Sequence, residues 1–189
     1  MLVQILGEVP DEIFMPALNE ISTIDWSSIN DLSRNSKVFN TSTSIHLRSH
    51  KIDINNPPKE LKDYCKIIDC VDKQVSAFPS SYNLAKWIFE KVNGKRMGRI
   101  MIVRLEEKST IGLHIDPFEY FEVYSRFHVP LKTNEQVLFS GGDHVYEHMP
   151  YKMLSRLNNR KPHMLENNGT EYRIHLIVDV EIEGQNQIF

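Results

Sequence analysis

Apolar positions change their period near the middle of the chain. Before about residue 95 they recur every three or four residues. Leu61, Tyr64, Ile67, Ile68, Val71 and Val75 follow Pro57-Pro58 in this way, and Ser81 to Val92 repeats the pattern up to Gly94. Residues three and four apart share one face of a helix, so this half is predicted to be mixed and mainly helical, with loops between. From Arg99 onward the texture shifts to short β-branched and aromatic runs. They are Ile100 to Leu105, Arg126 to Leu131, Val137 to Phe139, Val145 to Tyr146, Lys152 to Leu157 and Tyr172 to Ile182, with Arg160 to Asn168 reading as a further strand after a turn. Such runs predict an antiparallel series. The Ser140-Gly141-Gly142-Asp143 tetrad between two of them predicts a hairpin, because glycine supplies the positive φ of tight turns.

Helices followed by seven or eight short strands imply a mainly β fold, a small barrel or jelly roll buttressed by helices from the amino-terminal half. A chain of 189 residues makes one domain most simply, with residues 1–98 as support and 99–182 as the β core. In such a core, side chains distant in sequence converge on one interior.

Charge and composition narrow the function classes. A net charge of -3 gives no basic field for holding phosphate backbones, so no nucleic-acid partner is expected. No apolar stretch approaches the ~18 residues of a membrane span, and the opening apolar run breaks at Gly7 and Pro10 before a signal-peptide core forms. Cys65 and Cys70 stand five apart in a helical-looking stretch, off a common face, which argues against a disulfide framework and for a reducing, cytoplasmic setting. The sequons at Asn40 and Asn168 carry little weight without a secretory route.

The chemistry sits in three separated pieces. His114 and Asp116 are two apart, so on an extended segment both project from one face, and His163 can arrive from another strand. Two imidazoles and one carboxylate can occupy one face of an octahedral Fe(II), leaving positions open for co-substrate and dioxygen. Arg173 lies ten residues beyond His163 on an otherwise apolar strand. Its planar donor fork matches the distal carboxylate of a dicarboxylic co-substrate, the alternative being an internal salt bridge. Alternation also puts Arg126 and His128 on one face. They could meet the co-substrate's proximal carboxylate, orient the metal's ligands, or form a solvated strand face. His144 and His148 lack the glutamate that a zincin helix needs and read as rim. His46, His50 and His175 suggest no partner, and Trp26 and Trp87 read as core.

Taken together, Arg126 to Leu131, His114-Ile115-Asp116, His163 and the run Tyr172-Arg173-Ile174-His175-Leu176-Ile177-Val178-Asp179 resemble the aspartyl/asparaginyl β-hydroxylase family over roughly residues 99 to 182. That resemblance implies a double-stranded β-helix (jelly-roll, cupin-like) and an Fe(II)- and 2-oxoglutarate-dependent dioxygenase. By it, His114, Asp116 and His163 ligate iron, Arg173 binds the distal carboxylate of 2-oxoglutarate, and Arg126 with His128 contacts its proximal end. The implied reaction uses O2 to hydroxylate an amino-acid side chain, Asp/Asn or proline-like, free or in a peptide or protein, while 2-oxoglutarate is decarboxylated to succinate. Asp116 is present here as in bacterial relatives, some of which hydroxylate free proline, whereas the animal enzymes of the family lack that ligand. Asp179 stands where base demethylases of the AlkB type carry a second arginine. The competing reading is a non-redox, cupin-like metal-dependent binder or isomerase of a small acid, with the same ligands on another metal.

Overall fold

Side chains along the major strands alternate between aliphatic and polar, and the fold uses the two sets on opposite faces. The computed structural model describes residues 1–29, 41–60, 63, 66–116 and 119–184. Its strands are β1 (Val3–Glu8), β2 (Ser42–His50), β3 (Cys70–Asp72), β4 (Arg96–Leu105), β5 (Ser109–His114), β6 (Ser125–Lys132), β7 (Val137–Ser140), β8 (Tyr146–Glu147), β9 (Met153–Leu157), β10 (His163–Asn167) and β11 (Arg173–Glu181). Among the described residues the helices are α1 (Asp11–Ser22), α2 (Pro79–Lys91) and α3 (Glu119–Val123), with a 3-10 turn at Trp26–Ser28. All strand pairs are antiparallel, in a seven-stranded sheet ordered β1-β9-β6-β11-β4-β2-β3 and a four-stranded sheet ordered β5-β10-β7-β8. This is the double-stranded β-helix.

On the outer face of the larger sheet, Ile45, Leu47, Ile100, Ile102, Phe127, Val129, Leu131, Ile174, Leu176, Val178 and Val180 pack with Phe14, Ala17 and Ile21 of α1 and Leu84, Ala85 and Ile88 of α2. The helices therefore follow from their own apolar spacing and bury it against one continuous aliphatic surface. Trp26 and Trp87 pack against the same core. Between the sheets a smaller cluster, including Leu105, Val137, Phe139, Leu157 and Leu165, closes one end. The remaining inward positions carry the polar groups of the site, together with a small apolar cluster of Met101, Val103 and Ile177.

Two expectations for the amino-terminal half need correction. It supplies three strands of the larger sheet as well as helices. The helical reading from Leu61 to Val75 also fails at its end: Cys70–Asp72 is a strand paired with β2, an edge pairing with no local signature. Leu61, Tyr64 and Cys65 fall outside the described residues, while the Cys70 thiol is buried and free. The second predicted helix forms as α2, and the chain reverses at Asn93 with φ +51° rather than at Gly94. Gly7, at φ +142°, makes a bulge in the β1 pairing with β9 that a side chain would oppose. The glycine hairpin joins β7 to β8 as predicted, with Gly142 at φ +84°. No helix among the described residues is long and apolar enough to cross a membrane.

Candidate metal centre

The register of β5 against β10 sets His114 directly opposite His163. Asp116 follows just past the strand end, where its backbone N–H donates to the Asn159 carbonyl at 3.1 Å. The two imidazoles lie 4.3 Å apart between centroids, and His114 Nε2 is 3.6 Å from Asp116 Oδ1. One ligand atom from each of the three residues falls within 4.8 Å of the others, the one such cluster among the described residues. Each imidazole Nδ1 faces a carbonyl two residues back, Gly112 O at 2.7 Å and Lys161 O at 2.9 Å. A carbonyl only accepts, so Nδ1 holds the proton and Nε2 keeps the lone pair that a metal requires.

The electrostatics suit a cation. Burial pushes the Asp116 carboxyl up, but the Arg126 guanidinium, with His114 and His163, outweighs it and holds the group far below the usual carboxylate range. Burial lowers His163 and keeps it neutral at physiological pH. Burial also disfavours the charged form of His114, yet the adjacent Asp116 carboxylate and the Gly112 carbonyl carry its pKa above the ordinary value. A carboxylate held in its ionised form beside two imidazoles fits a divalent ion of the nitrogen- and oxygen-preferring kind, including Fe(II).

Arg126, from β6, is half of a buried charge network. Its Nη1 donates to Asp116 Oδ2 at 2.5 Å, its Nε to Asp179 Oδ1 at 2.8 Å and its Nη2 to Asp179 Oδ2 at 3.1 Å. Asn159 Nδ2 also donates to Asp116 Oδ2, at 3.3 Å. A fully buried Asp179 takes a further bond from Arg99 Nε at 3.0 Å. Burial alone would raise Asp179, but the two guanidiniums keep it ionised.

Arg173 is different. It is 1 % exposed at the start of β11, and among the described residues no carboxylate pairs with it. Its Nη2 donates to His175 Nδ1 at 3.1 Å, while Nε and Nη1 have no partner. Burial without compensation pulls its pKa down to about 9. The internal salt bridge held open as the alternative is therefore absent among the described residues. His128 Nδ1 lies 3.3 Å from His175 Nδ1, and the Nε2 atoms of both rings also lack partners. Burial, then the nearby Arg173 charge, depresses both imidazoles well below their ordinary range. Unsatisfied donors gathered around one buried cation describe a pocket for an anion with several oxygens.

All six anticipated residues thus reach one interior, His114, Asp116 and His163 from one side and Arg126, His128 and Arg173 from the other. Asp179, Arg99, Asn159 and His175 were missed as site residues. For His175 and Asp179 a signal existed, since they follow Arg173 at intervals of two on the same strand and share its face. Asn159 and Arg99 had none. His144 is exposed in the hairpin, and His148 hydrogen-bonds through Nδ1 to Val137 O at 2.9 Å, away from the cluster. His50 pairs with Ile67 O at 2.8 Å.

Comparison with known proteins agrees with this geometry. The profile of the aspartyl/asparaginyl beta-hydroxylase family matches residues 40–182, so the match reaches well into the half where no resemblance was evident. No curated protein matches the chain. Among solved structures, a prolyl hydroxylase from Trichoplax adhaerens in complex with a hypoxia inducible factor peptide fragment superposes with TM-score 0.59 at 10 % identity, over 97 % of this chain and 84 % of that one. A prolyl-4-hydroxylase from Pseudomonas putida gives 0.52 at 11 % identity over 96 % and 93 %. A collagen prolyl hydroxylase of Paramecium Bursaria Chlorella virus-1, a 2-oxoglutarate complex, gives 0.51 at 8 % identity over 96 % and 97 %. Likeness at such identities speaks for the fold alone. The family match, however, spans most of the chain, and the chain belongs to the aspartyl/asparaginyl β-hydroxylase family of Fe(II)- and 2-oxoglutarate-dependent dioxygenases.

Proposed function

We propose that this member of the aspartyl/asparaginyl β-hydroxylase family holds Fe(II) through His114 Nε2, His163 Nε2 and the Asp116 carboxylate, and binds the distal carboxylate of 2-oxoglutarate at Arg173. The observation that carries the reading is Arg173, a buried guanidinium with two unpartnered nitrogens in the same interior as a His/Asp/His cluster. A buried cation costs stability unless it is paired, and a dicarboxylate supplies the missing partner. Iron with 2-oxoglutarate supplies activation of O2 coupled to decarboxylation to succinate and hydroxylation of a C–H bond.

The protein's own residues bind and orient. Arg126 has each nitrogen donating to Asp116 or Asp179, so its role is to fix the metal carboxylate, while His128 faces the co-substrate's proximal end with its Nε2. His175 holds Arg173 through Nδ1, keeping its fork aimed at the ligand. Aliphatic packing on the outer face and the Phe139 cluster between the sheets exclude water from this interior. No observation favours the isomerase alternative.

The substrate is an amino-acid side chain, free or peptidyl, and not a nucleic-acid base. The family, the prolyl hydroxylase neighbours and a net charge of -3 support this choice. One domain carries the whole site, since strands from both halves of the chain share the larger sheet. Anaerobic Fe(II) and 2-oxoglutarate titrations, read against succinate release and a product heavier by one oxygen, test the proposal. Undiminished iron binding by the His114, Asp116 and His163 triple alanine variant sinks the ligand assignment.

A further inference from the structure

Charges on the inner face of the larger sheet do not balance once the site is loaded. Arg99, Arg126 and Arg173 point there with Asp116 and Asp179 as the carboxylate partners, and the flanking histidines His50, His128 and His175 are held neutral. A divalent ion adds two positive charges, and 2-oxoglutarate takes away two. One positive charge is left over, and its place can be read from the hydrogen bonds. Arg126 has all three nitrogens on carboxylates, and Arg173 faces the co-substrate. Among the described residues, Arg99 is the one of the three whose terminal nitrogens meet no hydrogen-bond partner: Nε is engaged, on Asp179, and the side chain is 19 % exposed.

Arg99 is also held in place. Its guanidinium lies over the Tyr120 ring at 4.5 Å and the Phe121 ring at 5.2 Å, and its backbone N–H donates to Tyr120 Oη at 2.8 Å. Gly98 permits that approach, because a side chain there would run into the Tyr120 hydroxyl. A guanidinium fixed by two rings and one carboxylate, with its fork open, is pre-organised for a second carboxylate and loses little freedom on binding it. The chain Arg99, Asp179, Arg126, Asp116 runs by contiguous hydrogen bonds to the candidate metal, so the open fork stands a few side-chain lengths from it.

We propose that Arg99 binds a carboxylate of the substrate, so that the enzyme acts on small acids: a free amino acid held by its α-carboxylate, or an acidic side chain in a peptide. The inference rests on the oxygenase reading above. Its test uses the full-length protein with Ni(II) and 2-oxoglutarate, and measures binding by ligand-observed NMR. The probes are L-proline, L-aspartate and L-asparagine, each beside its C-terminal amide, with capped peptides carrying internal Asp or Asn; succinate release on the iron enzyme is the second readout. Acids should bind at least about tenfold more tightly than their amides, roughly the worth of one charge-assisted contact. Preference for a free acid over its amide locates the α-carboxylate at Arg99, and preference for Asp over Asn peptides locates the side chain there. Arg99→Gln should erase the preference. Equal binding of acids and amides by the unmodified protein overturns the inference even if Arg99→Gln does not fold, as does a preference that survives the substitution. Binding of no acid by a protein that still binds 2-oxoglutarate also overturns it and leaves the oxygenase reading standing. Failure to bind 2-oxoglutarate overturns both.

Discussion

Arg126 and Arg173 sit on neighbouring strands, face the same interior and are both nearly inaccessible, yet their surroundings treat them in opposite ways. Arg126 donates to two carboxylates, and although burial works against its charge, Asp116 and Asp179 raise its pKa further. Arg173 has one imidazole and no anion, and burial pulls it down to about 9. One guanidinium is part of the folded scaffold. The other is a functional group whose partner must come from outside, which is how a protein marks a binding site with stability it does not recover until ligand arrives.

The contrast can be broken from the paired side first. Arg126→Met leaves Asp179 and Asp116 facing a buried apolar group and should destabilise the protein by about 3–5 kcal/mol. Urea unfolding monitored by tryptophan fluorescence measures it, and a neutral result would make the network decorative. The same substitution at the other arginine should act with the opposite sign. Arg173→Met removes an unpaired buried charge and should stabilise the ligand-free protein by roughly 1–4 kcal/mol. It should also weaken 2-oxoglutarate binding at least ten- to a hundredfold, the worth of about 1.5–3 kcal/mol, with iron binding retained. A variant less stable than the parent, with unchanged co-substrate affinity, would make Arg173 structural.

Acid sharpens the comparison by separating the two networks. His128 and His175 have lowered pKa values in the folded state, so as pH falls below about 6.5 the unfolded chain takes up protons that the native rings refuse. Stability should then fall by about 1.4 kcal/mol per pH unit for each ring. The carboxylates respond later. Asp116 and Asp179 are depressed, so their contribution is whole above the unfolded carboxyl pKa of about 4 and is lost only as pH drops below it. Chemical denaturation from pH 7.5 to 4.5 should show the histidine slope before any carboxylate loss. His128→Phe should remove one ring's share of that slope, and a slope unchanged by it would place the effect elsewhere. The smallest effect concerns Asn159, whose amide supports Asp116 at 3.3 Å. Asn159→Ala should cost about 1 kcal/mol, a several-fold loss of iron affinity by anaerobic titration, with 2-oxoglutarate affinity in the metal-loaded protein unchanged.

How far the sequence could be read differs between the halves for a physical reason. Strands from β4 onward carry their own period-two pattern because one face meets helices and the other the interior, and that pattern gave the hairpin and most strand limits to within a few residues. The helical period at Ser81 to Val92 was equally legible. β3 was not: three residues at a sheet edge are defined by the partner strand that holds them, and no periodicity develops over that length. Arg99 was equally silent, because its meaning depends on Asp179 eighty residues away and on the rings beneath it.

The sequence by itself determined the chemical types of the site: two imidazoles and a carboxylate in ligand order, an arginine on an apolar strand, and a polar pair on one strand face. Those follow from local spacing, since i and i+2 share a face whatever the fold does next. Tertiary structure decided which charges were already matched. Whether an arginine is satisfied depends on carboxylates delivered by other strands, and only the register of β6 and β11 puts Asp179 against Arg126 while leaving Arg173 with none. Electrostatic pairing acts over a few ångströms through space and has no counterpart in distance along the chain.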